Sequence, residues 1–202
     1  MDDDPKTPGK ASKKKAGRRG PRKVTEKRLE NVALHYLGRY SASAESLRRV
    51  LMRRVRRSAE AHGTDAEEAA QWVEALIGKF RGLGYLDDRA YAETRARALR
   101  ARGVSGRGVR ARLREKGVGA DDIDAALAAL AADVADPELA AALALARRRR
   151  LGPYRAGPAR AERREKDLAA LARAGFSYEV ARRVVEAVSL EELEAEAHGN
   201  AN

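Results

Sequence analysis

Apolar residues in this chain recur every three or four positions and almost never every second one. Leu29, Val32, Ala33, Tyr36 and Leu37 make one stripe of an amphipathic helix. A second stripe runs through Leu47, Val50, Leu51 and Val55, with Arg48, Arg49, Arg53, Arg54, Arg56 and Arg57 on the other faces. A third joins Ala69, Trp72, Val73, Leu76, Ile77 and Phe80, and is stopped by Gly82 and Gly84. No stretch alternates convincingly with period two, so no sheet is predicted.

The pattern restarts at Asp87-Asp88. Asp87 is placed to accept from the first-turn amides as an N-cap, and Asp88 complements the positive end of the helix dipole. A catalytic or metal pair would need further ligands converging on it, and His35, His62 and His198 are scattered. The pair is therefore expected to start a helix and to fix the angle between the first two units of the chain.

An internal repeat follows. "SAESLRRVL" (43–51) and "SGRGVRARL" (105–113) share a capping serine and an apolar pair one turn apart. "REKGV" (114–118) and "ARAGF" (172–176) are helix ends closed by glycine and an apolar residue. Two more stripes come after them: Ile123, Ala126, Leu127 and Leu130, then Ala181, Val184, Val185 and Val188 behind the cap Ser177. Asp136-Pro137 marks a further helix start. Nine helices group in threes, giving an all-α, elongated array of three tandem three-helix repeats over residues 24–84, 85–134 and 135–189. The third is the least regular, because "GPYRAGP" lengthens a connection and Arg163 stands where a capping serine is expected.

Composition narrows the class. Aromatics are 4% and much of the 44% hydrophobic fraction is alanine, which suits close helix packing and not a thick core. Residues 1–23 are rich in Lys, Arg, Pro, Gly and Ser and are expected to form a disordered basic tail; residues 190–202, with four glutamates and no Lys or Arg, read as an acidic tail. The net charge of +12 favours a polyanionic partner, nucleic acid or an acidic protein surface. With no cysteine, disulfides and thiolate metal sites are excluded. No apolar run is long enough for a membrane span and the N-terminus lacks a secretory signal, so a cytoplasmic location is expected, and a monomer because no long apolar stripe is left without an intramolecular partner.

Enzyme signatures are missing. "GVSGRG" lacks the Lys-Ser/Thr ending of a P-loop, and no Gly-x-Gly-x-x-Gly, Gly-x-Ser-x-Gly or paired-His helix is visible. No cofactor is expected. What remains is arginine: Arg95, Arg97, Arg100, Arg102, Arg107, Arg110, Arg112, Arg114 and Lys116 fall within one short span, and Arg147, Arg148, Arg149 and Arg150 open a second cluster with Arg155, Arg160, Arg163 and Arg164. Charge runs are often only solvated faces. Arginine's planar fork, however, suits carboxylate and phosphate better than a lysine point charge does, and the clusters recur in successive units. Among aromatics, Trp72, Phe80, Tyr36, Tyr91 and Phe176 read as core, and only Tyr40, Tyr85 and Tyr154 look free to stack on bases, too few for a dedicated single-strand platform. No helix carries the Asn or Gln of a clear recognition helix, which speaks against sequence-specific DNA binding.

"GYLDDRAYAETRARALRARGVSGRGVRARLREKGVGADDIDAAL" resembles the core of the RecX family of bacterial RecA regulators. The matching positions are Gly84 to Asp88, Tyr91-Ala92, Gly103 to Gly108, Val109 with Leu113, Lys116 to Val118 and Asp121 to Leu127. "YLGRYSASAESLRRVLMRR" looks like the family's first unit and "LARAGFSYEVARRVV" like its last, so the resemblance spans about residues 27–188. It implies three tandem three-helix repeats and a protein inhibitor that lodges in the groove of the RecA filament on single-stranded DNA, suppressing ATP hydrolysis, strand exchange and co-protease activity. The implied partners are the RecA nucleoprotein filament and single-stranded DNA, with duplex DNA as a further target. The competing reading is a non-specific basic DNA-binding accessory protein for which the filament is irrelevant.

Overall fold

The computed structural model describes residues 20–155 and 159–199, which form ten α-helices and one 3-10 turn, with no strand among them. The helices are α1 (Glu26–Leu37), α2 (Ala44–His62), α3 (Ala66–Gly82), α4 (Asp88–Ala101), α5 (Gly106–Glu115), α6 (Ala120–Asp133), α7 (Pro137–Arg149), α8 (Ala159–Arg173), α9 (Tyr178–Glu186) and α10 (Leu190–His198). The 3-10 turn, Gly152–Tyr154, lies within the irregular connection after α7. Of the basic tail expected over residues 1–23, residues 1–19 lie outside the described residues. Residues 20–23 lead into α1, and the Pro21 carbonyl lies 2.6 Å from His62 Nε2 at the end of α2.

Local chemistry sets where the helices begin. Asp87 Oδ1 accepts from the Ala90 amide at 2.9 Å, as an N-cap must. Ser43, Ser105 and Ser177 cap α2, α5 and α9 in the same way, each accepting from the amide three residues on. Pro137 opens α7 behind the cap Asp136. α8 starts ahead of Arg163, so that arginine is an exposed residue within the helix and not a failed cap.

The buried side chains fall into three clusters. Leu29, Leu47, Leu51, Val73, Ile77 and Phe80 anchor the first, between α1, α2 and α3. Ala92, Leu99, Val109, Leu113, Ile123 and Leu130 anchor the second, between α4, α5 and α6. The third, around α7, α8 and α9, contains Leu139, Leu145, Leu171, Phe176 and Val184. The middle cluster is the smallest and buries no aromatic ring, so it depends most on its neighbours.

One expectation fails here. Residues 190–198 are not a tail: α10 packs on α7, and its Ala197 is fully buried in the third cluster. Ser189 accepts from the Glu192 amide, and Leu190, Leu193 and Ala197 give the helix an apolar stripe. The glutamates occupy its other faces, where Glu196 pairs with Arg183 and Glu194 accepts from the Tyr154 hydroxyl at 2.8 Å. Burial and that acceptor push the Tyr154 phenol up to about 12.

Neighbouring units meet through one chemical device used twice. The capping serine of a middle helix donates onward, Ser43 Oγ to the Lys116 carbonyl at the end of α5 and Ser105 Oγ to the Ala174 carbonyl at the end of α8. Beside it, an acid from the next unit accepts from the first helical amide. Asp88 takes the Ala44 amide at 2.8 Å and Glu138 takes the Gly106 amide at 3.1 Å. Each acid is held by an arginine: Arg81 reaches Asp88 at 2.8 Å and Arg100 reaches Glu138 at 2.7 Å. The N-terminus of α2 thus meets the C-terminus of α5, and that of α5 the C-terminus of α8, with a carboxylate satisfying an orphan amide and the serine hydroxyl an orphan carbonyl at each joint. Asp88 therefore does more than complement its own helix; it joins α4 to α2 and α3.

Candidate nucleic-acid interface

The joints decide which arginines are available. Arg100 is 8% exposed and spans Glu138 and the Val104 carbonyl, so it is a structural residue and not a contact for an external partner. A buried guanidinium needs a carboxylate and acceptors; Glu138 and Val104 supply them at Nη1, while the buried Nε has no hydrogen-bond partner among the described residues. Arg107 is exposed but reaches across the joint to the Gly175 carbonyl at 3.3 Å. Arg110 is paired with Asp124, and Arg97 lies 3.9 Å from Asp133. Among the described residues, Arg102, Arg112 and Arg114 are exposed and without an ion pair.

The second cluster is also divided. Arg147, Arg148, Arg149 and Arg150 are exposed at the end of α7, where Arg150 closes the helix in the left-handed conformation at φ 54°. Arg147 borders a cavity of about 390 Å³ between α4, α7 and α10, whose wall is half alanine, leucine and valine and also includes Arg97, Arg100, Glu194 and His198. Arg155 is tied to the buried Asp167 at 2.9 Å, and Arg164 to Glu186. Arg160 donates to the carbonyls of Val185 and Ala187. These three hold the third unit together.

Two candidates, Arg95 and Lys116, join a surface that the expected clusters do not include. They border a depression with Tyr36, Tyr40 and Tyr91, which continues between α1 and α2 past Arg28, Arg54 and Arg57. Tyr36 and Tyr40 lie with ring centroids 5.2 Å apart at an interplanar angle of 44°. Tyr36 and Tyr91 are half-buried, packed against the edges of the first and second clusters with part of each ring left at the surface. Desolvation pushes the Tyr91 phenol above its usual range, keeping it neutral. Of the rings expected to be free, Tyr40 and Tyr85 are exposed, with Tyr85 edge-on to Phe80, whereas Tyr154 is engaged by Glu194. The arginine run of α2, "RRVLMRRVRR", was the signal for this surface.

Among the described residues, no group of three or more His, Asp or Glu side chains could hold a metal ion, and no helix is long and apolar enough to cross a membrane.

Known proteins share this arrangement. The family model for the second three-helix domain of RecX matches residues 87–127. A regulatory protein RecX of Myxococcus xanthus is 48% identical over 179 residues, covering 88% of this chain and 95% of that relative. A regulatory protein RecX of Agrobacterium fabrum is 35% identical over 164 residues, covering 81% and 84%. A crystal structure of regulatory protein RecX superimposes with a TM-score of 0.54 at 26% identity, over 80% of this chain and 71% of that one. The crystal structure of RecX from Lactobacillus salivarius gives 0.56 at 19% identity, over 80% and 94%, and bears on the fold alone.

Proposed function

The chain belongs to the RecX family of regulatory proteins, and from that premise we propose that it is a non-enzymatic regulator that binds the RecA filament on single-stranded DNA and restrains its ATP hydrolysis, strand exchange and co-protease activity. The observation that carries this reading is the match to a regulatory protein RecX along nearly the whole of both chains. Chemistry adds to it. The array ties its units together with cap and ion-pair contacts, and exposed guanidinium groups remain on α4, α5 and α7. Such a body can meet carboxylates on a protein lattice and phosphates on the strand inside it.

The second reading, a non-specific DNA-binding accessory protein, is favoured by Arg28 of α1 and Arg53, Arg54, Arg56 and Arg57 of α2, which make no ion pair among the described residues. Salt separates the two. Phosphate binding releases counterions and weakens linearly on a log-log salt plot, whereas a protein-protein interface keeps more of its affinity. Titration of labelled protein into RecA filaments and into bare single strands, across a salt series, is expected to give the shallower slope for the filament. Equal slopes and equal affinities would favour the accessory protein.

A further inference from the structure

We propose that the first three helices carry a site for single-stranded nucleic acid, in a trough between α1 and α2 where Tyr36 and Tyr40 stack on bases and unpaired arginines hold the phosphates. The trough consists of adjoining depressions, two of about 650 to 660 Å³, that share Arg28, Val32 and Arg54. It continues past Tyr36 to Tyr91 and Arg95 on α4. From Arg28 to Tyr36 it follows α1 for about 12 Å, eight residues at ~1.5 Å each. Among the described residues, no aspartate or glutamate lines any part of it.

Arginines without an ion pair among the described residues also stand at Arg112 and Arg114 on α5 and at Arg147 to Arg150 at the end of α7; the trough adds ring faces beside them. In the third unit Arg155, Arg164 and Arg183 all have carboxylate partners, and Arg110 has one in the second. On α2, Arg53, Arg54, Arg56 and Arg57 are exposed and make no ion pair among the described residues, although crowding like charges on one helix is unfavourable. An external polyanion would relieve that repulsion.

The tyrosines select the class of polyanion. An acidic peptide would use the guanidinium groups and gain little from ring faces beside them. Bases of a single strand have π-faces to stack, and base-aromatic stacking beside a basic groove is how single strands are held without sequence preference. A duplex keeps its bases stacked on one another, so it cannot use Tyr40, which is 57% exposed at the rim. Such a site needs no RecA, so it stands or falls separately from the filament reading.

The test is fluorescence anisotropy of labelled oligothymidylate, about 16 nucleotides long to exceed the footprint of a compact single-strand site, titrated with the full chain in the absence of RecA. Tyr40→Ala, an exposed position that should leave thermal unfolding unchanged, is expected to weaken binding roughly five- to tenfold. Tyr40→Phe should stay within about twofold, since the ring face is retained. Reversing Arg54 and Arg57 to glutamate should weaken binding further and flatten the log-log salt slope by at least about one. Reversing Arg173 and Arg182, exposed on α8 and α9, should do neither. Wild-type affinity in Tyr40→Ala would overturn the site, as would a duplex of equal length, or polyglutamate of equal charge, displacing the strand as well as oligothymidylate does.

Discussion

Gly103→Ala is expected to destabilise the folded chain by about 3 kcal/mol or more, an effect large for so small a change. Gly103 has φ 75°, and a Cβ there would stand 2.5 Å from the Leu145 amide nitrogen and 2.7 Å from its Cα. A left-handed conformation alone costs an L-residue roughly 1–2 kcal/mol. The rest comes from pushing the turn after α4 off the backbone of α7, which no rotamer change can avoid. Gly84 supplies the comparison, since it has φ 74° but open space around its Cα. Gly84→Ala should therefore cost only about 1 kcal/mol. Gly117, also at φ 74°, lies between them, because its Cβ would strike the Glu45 side chain, which can move in part. Urea unfolding of the three variants should rank them in that order. Equal costs at Gly103 and Gly84 would mean that the contact between the second and third units is loose.

Glu138→Ala is the second large effect, at about 3 kcal/mol. It removes the carboxylate from Arg100, whose side chain is 9% exposed, and uncaps the Gly106 amide in the same step. Loss of a cap costs about 1 kcal/mol, and stranding a buried charge costs more. The exposed Arg110–Asp124 pair is the contrast, since breaking a surface pair changes stability by about 0–1 kcal/mol. Because the penalty comes mostly from the guanidinium left behind, the double change Arg100→Met, Glu138→Leu should recover much of the loss in denaturant unfolding. A double variant less stable than Glu138→Ala would show that the pair itself stabilises the joint. The outcome also bears on activity, because a loss of inhibition in Arg100→Ala would reflect a broken joint and not a missing contact.

Helix starts were legible because they depend on neighbours. Asp87, Ser43, Ser105 and Ser177 each accept from an amide three residues away, so the chain itself displays both partners. The joints were not, because their second partners are remote. Ser105 donates to a carbonyl 69 residues on, and Arg100 finds Glu138 after 38. Nothing in a run of arginines tells a buried member from an exposed one, so Arg100 read as surface. α10 was hidden differently: its glutamates read as a solvated run, although Ser189 and Glu192 already had capping-box spacing. Tyr36 fits the period of the α1 stripe, but at the stripe's edge the period does not say which side a ring takes.

Two joints built alike also differ in strength. α4 packs on α7 as well as sharing the Glu138 contact, whereas the first and second units meet through Asp88, Ser43, Gly117 and the Arg49 bond to the Glu115 carbonyl at 2.7 Å. That first joint therefore rests on a few hydrogen bonds.

The central claim is tested most directly by RecA ATP hydrolysis on saturating single-stranded DNA at near-physiological salt, with this protein titrated in far below the RecA concentration. Filament-directed regulation predicts a fall in hydrolysis at those ratios, because excess DNA leaves nothing to gain by competing for it. Full hydrolysis until the protein is abundant enough to coat the DNA would contradict it and leave the plain DNA binder.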